Sequence, residues 1–213
     1  KVEIWKVSST PDDPSRGITQ GVVEGLDQVG AQAADLGFLG HGTTVATNAL
    51  IELRGVKTGL IVTDGFRDLL EIGRQKRPNL YDMYAEKPEQ LVTRDLRRQV
   101  PERLKHNGTV DLPLDVNALR SEVRALAKED IKALAVCFLY GFLNTEHEKI
   151  AKQVIAEELP EVFVSTSHDV APEFREFERL STTVVNAYLG PVMQRYIRRL
   201  KDRRDDSIML AVI

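Results

Sequence analysis

Cysteine is nearly missing from the chain. Cys137 is the only one in 213 residues, which excludes an internal disulfide and fits a reducing compartment, so the cytoplasm is the expected location. Long apolar runs are missing as well. No stretch approaches the roughly 18 uninterrupted apolar residues of a membrane-spanning helix, and no membrane partner is expected. No secretory signal stands at the start, which is Lys1 rather than Met. Neither sign of charge dominates: 29 basic against 32 acidic residues leave a net charge of -3. The one dense basic cluster, 195–204, is interrupted by Asp202, so no nucleic-acid surface is expected. The metal-ligand spacings HxH, HExxH and CxxC are absent too, which argues against a self-contained metal site. Repeats and low-complexity tracts are also lacking.

What remains is a globular composition, 42% hydrophobic and 29% charged, enough for a sizeable core in one domain or one domain with a small subdomain. Apolar runs of strand length alternate with helical periodicity. Val2 and Ile4 alternate with Glu3 and Trp5 as in a strand, and a helix follows from Pro14 and Ser15, where proline suits the first turn. Lys57 to Thr63 and Ala133 to Leu139 read as strands buried on both faces. Val162 to Val164 and Ile208 to Ile213 are further strands. Asp115 caps a helix with Leu119, Val123 and Leu126 on one face, and Asn144 or Thr145 caps another over 146–159. A long helix from about Glu173 turns Phe174, Phe177, Leu180, Val184 and Tyr188 inward, with Pro191 able to kink or divide it. Between strands and helices, 97–104 and 109–112 alternate around Asn107-Gly108, the signature of a hairpin with a type I′ turn. The pattern predicts an α/β domain with a largely parallel central sheet and a β-hairpin insertion within 74–113.

The most suggestive stretch is Gly40-His41-Gly42-Thr43-Thr44. An apolar lead-in (Leu36, Phe38, Leu39) reads as a buried strand, and 45–53 reads as a helix with Val45, Leu50 and Leu53 inward. A strand, a glycine turn and a hydroxyl-rich helix start form an anion cradle when backbone N–H groups point outward. The alternative is local: Thr43 or Thr44 caps the helix, and the glycines only shape the turn. Spacing alone does not choose between them, because neither GxxxxGK[ST] nor GxGxxG is present.

Of the four histidines, His41 is the best functional candidate. His168, beside Asp169 at a strand end, reads as structural or exposed; His106 in a hairpin tip and His147 in a first helical turn read as solvated. Asp64 and Asp169 each follow a strand, where open α/β sheets hold ligands, and either suits Mg²⁺ or a turn. Cys137 reads as a buried inert thiol. Arg175 and Arg179, near Glu176 and Glu178, read as a salt-bridged helix face. The loop from Arg74 to Tyr84, with Arg, Tyr and Met close together, reads either as solvated or as a contact segment.

The words around these positions carry a resemblance. Gly40-His41-Gly42-Thr43-Thr44-Val45-Ala46-Thr47-Asn48 resembles the hallmark stretch in the N-terminal domain of the hydantoinase A/5-oxoprolinase family. Lys57-Thr58-Gly59 through Asp68, Glu71-Ile72-Gly73-Arg74-Gln75 through Asp82, Cys137 through Glu148 and Glu178 through Leu189 follow in family order. The resemblance implies an actin/sugar-kinase-like (ribonuclease H-like) α/β fold over 1–213, as a fragment of a longer subunit. It lacks the Gly-Gly-Thr-Phe-Thr-Asp phosphate loop that normally precedes this point, and a second such loop is expected in a larger following domain. The implied activity is ATP-dependent cyclic-amide hydrolysis of the hydantoinase or 5-oxoprolinase type, or ketone carboxylation, with ATP and Mg²⁺ as cofactors of the full-length enzyme. The expected partner is a second subunit or domain of the hydantoinase B type, in a hetero-oligomer. His41, Thr43 and Thr44 are then the expected catalytic residues, and Gly40, Gly42, Asn48 and Asp64 the expected substrate or phosphate contacts.

Overall fold

The computed structural model describes residues 2–10, 12–75, 79, 81–82, 84–85 and 87–202. Two compact units divide the chain, one formed by Lys1–Asn48 with Val192–Ile213 and the other by Ala49–Pro191. The strand expected over 208–213, and Lys76, Arg77 and Met83 of the expected contact loop, lie outside the described residues.

In the second unit, β1 (Thr58–Thr63), β2 (Arg97–Val100), β5 (Ala133–Cys137) and β6 (Phe163–Thr166) form a parallel sheet in the order β2-β1-β5-β6. Every residue of β1 and β5 is buried, as the uninterrupted apolar runs require of strands covered on both faces. The covering helices are identifiable. Leu126 of α4 (Val116–Ala127) presses on Gly59, whereas Val62, of opposite parity, shares a small cavity with Leu180 of α7 (Glu176–Asp202). Alternate residues of a strand point to opposite faces, so α4 and α7 lie on opposite sides of the sheet. α5 (Glu146–Glu158) packs beside α4 and against β5 and β6. Leu60, Leu119, Leu126, Leu134 and Ile155 are each 0% exposed, and burying each contributes about 1.5–3 kcal/mol.

Local signals explain the helices. The Asp115 carboxylate accepts from the N–H groups of Asn117 and Ala118 and starts α4. Before α5, the Asn144 side chain accepts from the Glu146 N–H at 3.0 Å. Arg120 and Arg124 of α4 both reach Glu158 of α5, at 2.8 and 2.7 Å.

The hairpin is smaller than the alternation predicts. β2 joins the central sheet beside β1, and only β3 (Arg103–Leu104) and β4 (Val110–Leu112) pair antiparallel. The turn is not type I′, because Gly108 alone of its two central residues has positive φ (+80°). With the Gly108 N–H donating to the Lys105 carbonyl, it is a turn closed by a left-handed glycine. Short α3 (Leu69–Ile72) and α6 (Ser167–Val170) follow β1 and β6.

In the first unit, α1 (Pro14–Val29) starts at the Asp13 cap with proline in its first turn and ends at left-handed Gly30. No strand is assigned over 2–6 or 36–39; Ile4 is 80% and Phe38 64% exposed. Alternation needs a neighbouring strand to complete its hydrogen bonds, and among the described residues neither stretch has one. α2 is Val45–Ile51, and its buried residue is Ala49; Leu53, expected inward, has φ +53° and lies beyond the helix end. Phe174, also expected inward, precedes α7 and is 67% exposed.

Two outcomes test this packing. A methyl group on Gly190 would lie 2.3 Å from the Phe163 ring, so Gly190→Ala should destabilise by about 1–3 kcal/mol; an unchanged thermal midpoint would show that the helix–strand contact is looser than described. Hydrogen bonds from Arg124 and Arg120 hold the Glu158 carboxyl down at about 2. A depressed folded pKa contributes stability above the unfolded value, near 4.5, and loses it as pH falls toward 2. Glu158→Gln should therefore flatten the stability loss between pH 5 and 2, read from urea midpoints at each pH.

Candidate functional site

The chain steps from β1 to β2 on one side, then crosses back to β5 and β6 on the other. The carboxyl ends of β1 and β5 flank the point where this order reverses, the place where open parallel sheets hold ligands. Backbone groups are freed there as the ladders stop, and buried side chains take them up. Thr63, last in β1, donates its hydroxyl to Glu102 and accepts from the Leu139 N–H at 2.8 Å. The other Glu102 oxygen meets His147 Nδ1 at 2.7 Å. Glu148, 0% exposed, accepts from Phe138 N–H, Ser167 Oγ, His168 N–H and His168 Nδ1 at 2.6–2.9 Å. A Cβ on Gly141 would come within 2.7 Å of that carboxylate, so only glycine leaves room. The Arg179 guanidinium donates to the carbonyls of Phe138 and Glu173 and lies 5.1 Å from the centroid of the Phe142 ring.

Three expectations are corrected here. His147 is buried, not solvated: it shares the inward stripe of α5 with Ala151, Val154 and Ile155, so helical spacing could have placed it. Arg179 is buried on carbonyls rather than salt-bridged on a helix face, and Arg175 precedes α7 with φ +75°. Asp169 is taken up by Lys152 at 2.6 Å, by Thr166 and by His168, and the Lys152 hydrogen bond lowers its pKa; it is not a free metal ligand. His168 is structural, held by Glu148. Burial pushes the Cys137 thiol up to about 11, leaving it un-ionised and inert. Asp64 follows β1 on the surface; its carbonyl accepts from Arg103 at 2.9 Å, and among the described residues nothing bonds its carboxylate.

In the first unit, the 40–44 loop leads into α2. Seven residues make α2 too short for a meaningful helix dipole, and Thr43 Oγ1 accepts from the Val45 N–H at 3.2 Å, a local turn bond. Thr44 accepts through its carbonyl from the Asn48 N–H. Gly42 faces open space, and Thr43, Thr44 and Asn48 are exposed. His41 is half-buried, and its Nε2 is hydrogen-bonded to the Tyr196 hydroxyl, 155 residues away. Sequence reading missed Tyr196, although it continues the four-residue spacing Tyr188, Val192, Tyr196, Leu200. His41, Thr43, Thr44, Asn48, Gly40 and Gly42 thus share one loop region of the first unit, while Asp64 belongs to the second.

A family model described as the hydantoinase/oxoprolinase N-terminal region matches residues 1–159. The chain belongs to this family. It is 40% identical over 205 residues to the caprolactamase subunit alpha of Pseudomonas jessenii, covering 93% of this chain and 30% of that protein. The crystal structure of that ATP-dependent caprolactamase superposes with a TM-score of 0.89 at 38% identity, over 100% of this chain and 32% of that one. The acetophenone carboxylase gamma subunit of Aromatoleum aromaticum is 35% identical over 217 residues, covering 94% of this chain and 30% of the relative. A nucleotide-free acetone carboxylase structure gives a TM-score of 0.88 at 25% identity, covering 98% and 32%. The chain therefore spans about a third of these relatives. An actin-like hydantoinase/oxoprolinase fold is consistent with both structural neighbours. Among the described residues no helix is long and apolar enough to cross a membrane, and no three acidic, histidine or cysteine side chains form a metal cluster.

Glu148→Gln replaces an acceptor of four hydrogen bonds with an amide that must turn an NH₂ toward buried donors. It should cost about 2–5 kcal/mol, measured by chemical unfolding; a loss below 0.5 kcal/mol would remove the carboxylate from its central place at the strand ends.

Proposed function

We propose that this chain is the N-terminal domain segment, 1–213, of an ATP-dependent cyclic-amide hydrolase of the hydantoinase/5-oxoprolinase type, with the antiparallel hairpin as an insertion within 74–113. The observation that carries this reading is the whole-chain likeness to an ATP-dependent caprolactamase at 38% identity, against 25% for the acetone carboxylase. Caprolactam, 5-oxoproline and hydantoins share a ring amide that resists water. Transfer of the γ-phosphoryl group of ATP to the amide oxygen releases ADP and makes the ring carbon electrophilic; water adds there, the ring C–N bond breaks with its nitrogen taking up a proton, and a second water cleaves the resulting acyl phosphate to carboxylate and phosphate. The protein's task is to orient the oxygen and to neutralise charge as it develops.

Within this segment His41, Thr43 and Thr44 line the reacting end, with Gly40 and Gly42 allowing close backbone approach and Asn48 behind them. The exposure of Thr44 and the open space at Gly42 support this assignment. Asp64, with its carboxylate unengaged among the described residues, is the group we assign to Mg²⁺, the remaining ligands coming from phosphates and water as Mg²⁺ prefers. A second subunit of the hydantoinase B type completes the enzyme in a hetero-oligomer, a reading supported by relatives that are themselves named as subunits.

A ketone carboxylase is the second reading, favoured by the 35% identity to the acetophenone carboxylase subunit; there the phosphorylated oxygen would be an enolate's. A third reading, a scaffold and subunit-contact domain, rests on the hairpin.

The deciding measurement is ATP hydrolysis by the full-length subunit with its partner, in the presence of caprolactam, 5-oxoproline, N-methylhydantoin, or acetone with bicarbonate. We expect stimulation by a cyclic amide, and a loss of about 10²-fold in kcat in the Thr43→Ala/Thr44→Ala variant, the scale of removing charge-stabilising donors. Stimulation by acetone alone would transfer the chain to the carboxylases. Wild-type turnover in the double variant would sink the threonine assignment.

A further inference from the structure

We infer that Tyr196 is the positioning residue of His41, a role that rests on the reading of His41 as a group facing the substrate. Three observations combine. First, the Tyr196 hydroxyl and His41 Nε2 are hydrogen-bonded partners, with ring centroids 6.0 Å apart and planes inclined by 50°. Second, Tyr196 is 7% exposed, one helical turn from Leu200 at 2%. Its ring is thus anchored in the first unit while its hydroxyl meets a half-buried imidazole. Third, past the bridge assigned at Gly40, the tip of the 40–44 loop has few other side-chain ties among the described residues. Gly42 makes no contact that a Cβ would feel, no strand is assigned over 36–39, and Thr43 bonds only to the adjoining turn.

A neutral imidazole has one N–H and one lone pair, and the partner of one nitrogen decides what the other can do. The phenol is the more acidic O–H and donates to Nε2. The proton of His41 is then fixed on Nδ1, which becomes a hydrogen-bond donor of set direction. A donor held in this way suits an oxygen that gains negative charge, such as an amide oxygen or phosphoryl oxygen in the proposed reaction. It does not suit a general base, which would need the lone pair. The same logic orients metal-bound and catalytic histidines elsewhere, where the second nitrogen's partner fixes the tautomer and the ring plane. Tyr196 itself touches no substrate in this scheme; it acts through His41.

The test uses the full-length subunit with its partner, in two arms. Tyr196→Phe removes the hydroxyl and keeps the ring, so the fold is retained. In the first arm, carbethoxylation of histidines by diethyl pyrocarbonate is followed by peptide mass at fixed pH, with exposed His106 as internal reference. Freeing the Nε2 lone pair should accelerate modification of His41 severalfold relative to His106; an unchanged ratio would overturn the inference whatever the enzyme's activity. In the second arm, substrate-stimulated ATP hydrolysis is compared in Tyr196→Phe, His41→Ala and the double variant. We expect Tyr196→Phe to lower kcat about tenfold with KM nearly unchanged, and the double variant to match His41→Ala alone. Independent, multiplying losses would overturn the positioning role. A Tyr196→Phe enzyme equal to wild type beside an inactive His41→Ala enzyme would remove Tyr196 and leave the proposed function intact. A fully active His41→Ala enzyme would instead remove His41 from the reaction, and the positioning role with it.

Discussion

The structure of the larger unit depends on what happens where parallel strands stop. Inside the sheet β1 is paired on both sides by β2 and β5, and β5 by β1 and β6, but past Cys137 the ladder ends while Phe138 is still buried, and the Thr63 side chain at the end of β1 is buried as well. An unpaired buried amide costs about as much as a lost hydrogen bond. Glu148 absorbs much of this cost: one buried carboxylate accepts from two backbone amides, a hydroxyl and an imidazole. Glu102 does the same for Thr63 and His147. The loops after β1, β5 and β6 are thereby tied to one another through side chains rather than through secondary structure, and the surface they present keeps a fixed shape.

That arrangement explains why the polar residues with the most partners are poor catalytic candidates. Glu148, Glu102, His147, His168 and Arg179 are saturated or sealed from solvent, and an acid–base group must exchange protons with a ligand. Asp64, Thr44 and His41 are less well satisfied internally, which leaves them free to meet one. Burial thus sorts the polar residues of this chain: the network fixes the geometry of the strand ends in the second unit, and the groups we propose for chemistry are among those left exposed or half-buried.

The parallel strands were legible because burial on both faces leaves a mark on every residue; Leu60-Ile61-Val62 and Ala133 to Cys137 admit no other reading. The caps at Asp13 and Asp115 were legible because capping is local. The short apolar stretches 2–6 and 36–39 misled for the opposite reason, since whether alternation becomes a strand depends on a partner that sequence neighbours do not reveal. The β2 strand was hidden in the same way. Its alternation was visible, but its partner is β1 in parallel, and only tertiary structure distinguishes that from a hairpin. His147 was misread because a histidine near a helix start was judged by residue type. Its spacing to Ala151 and Ile155 held the correct answer.

The glycine loop shows the limit of motif reasoning from the other side. Its wording is enough to suggest a family, yet spacing leaves an anion cradle and a local cap equally open, and the structure shows α2 with only seven residues and a Thr43 bond within its own turn. What distinguishes the loop physically is a contact that no local pattern contains, the bond from His41 to Tyr196. A long-range hydrogen bond to a buried phenol gives this glycine-flanked imidazole a fixed partner, which is the basis of the tautomer we infer for it. Tyr196 and Leu200, four residues apart and both buried, anchor that contact within the first unit. Within the first unit the candidate chemistry therefore hangs on that one contact, so a substitution that displaces the Tyr196 ring should be felt at His41 even where the sheet of the second unit is left intact.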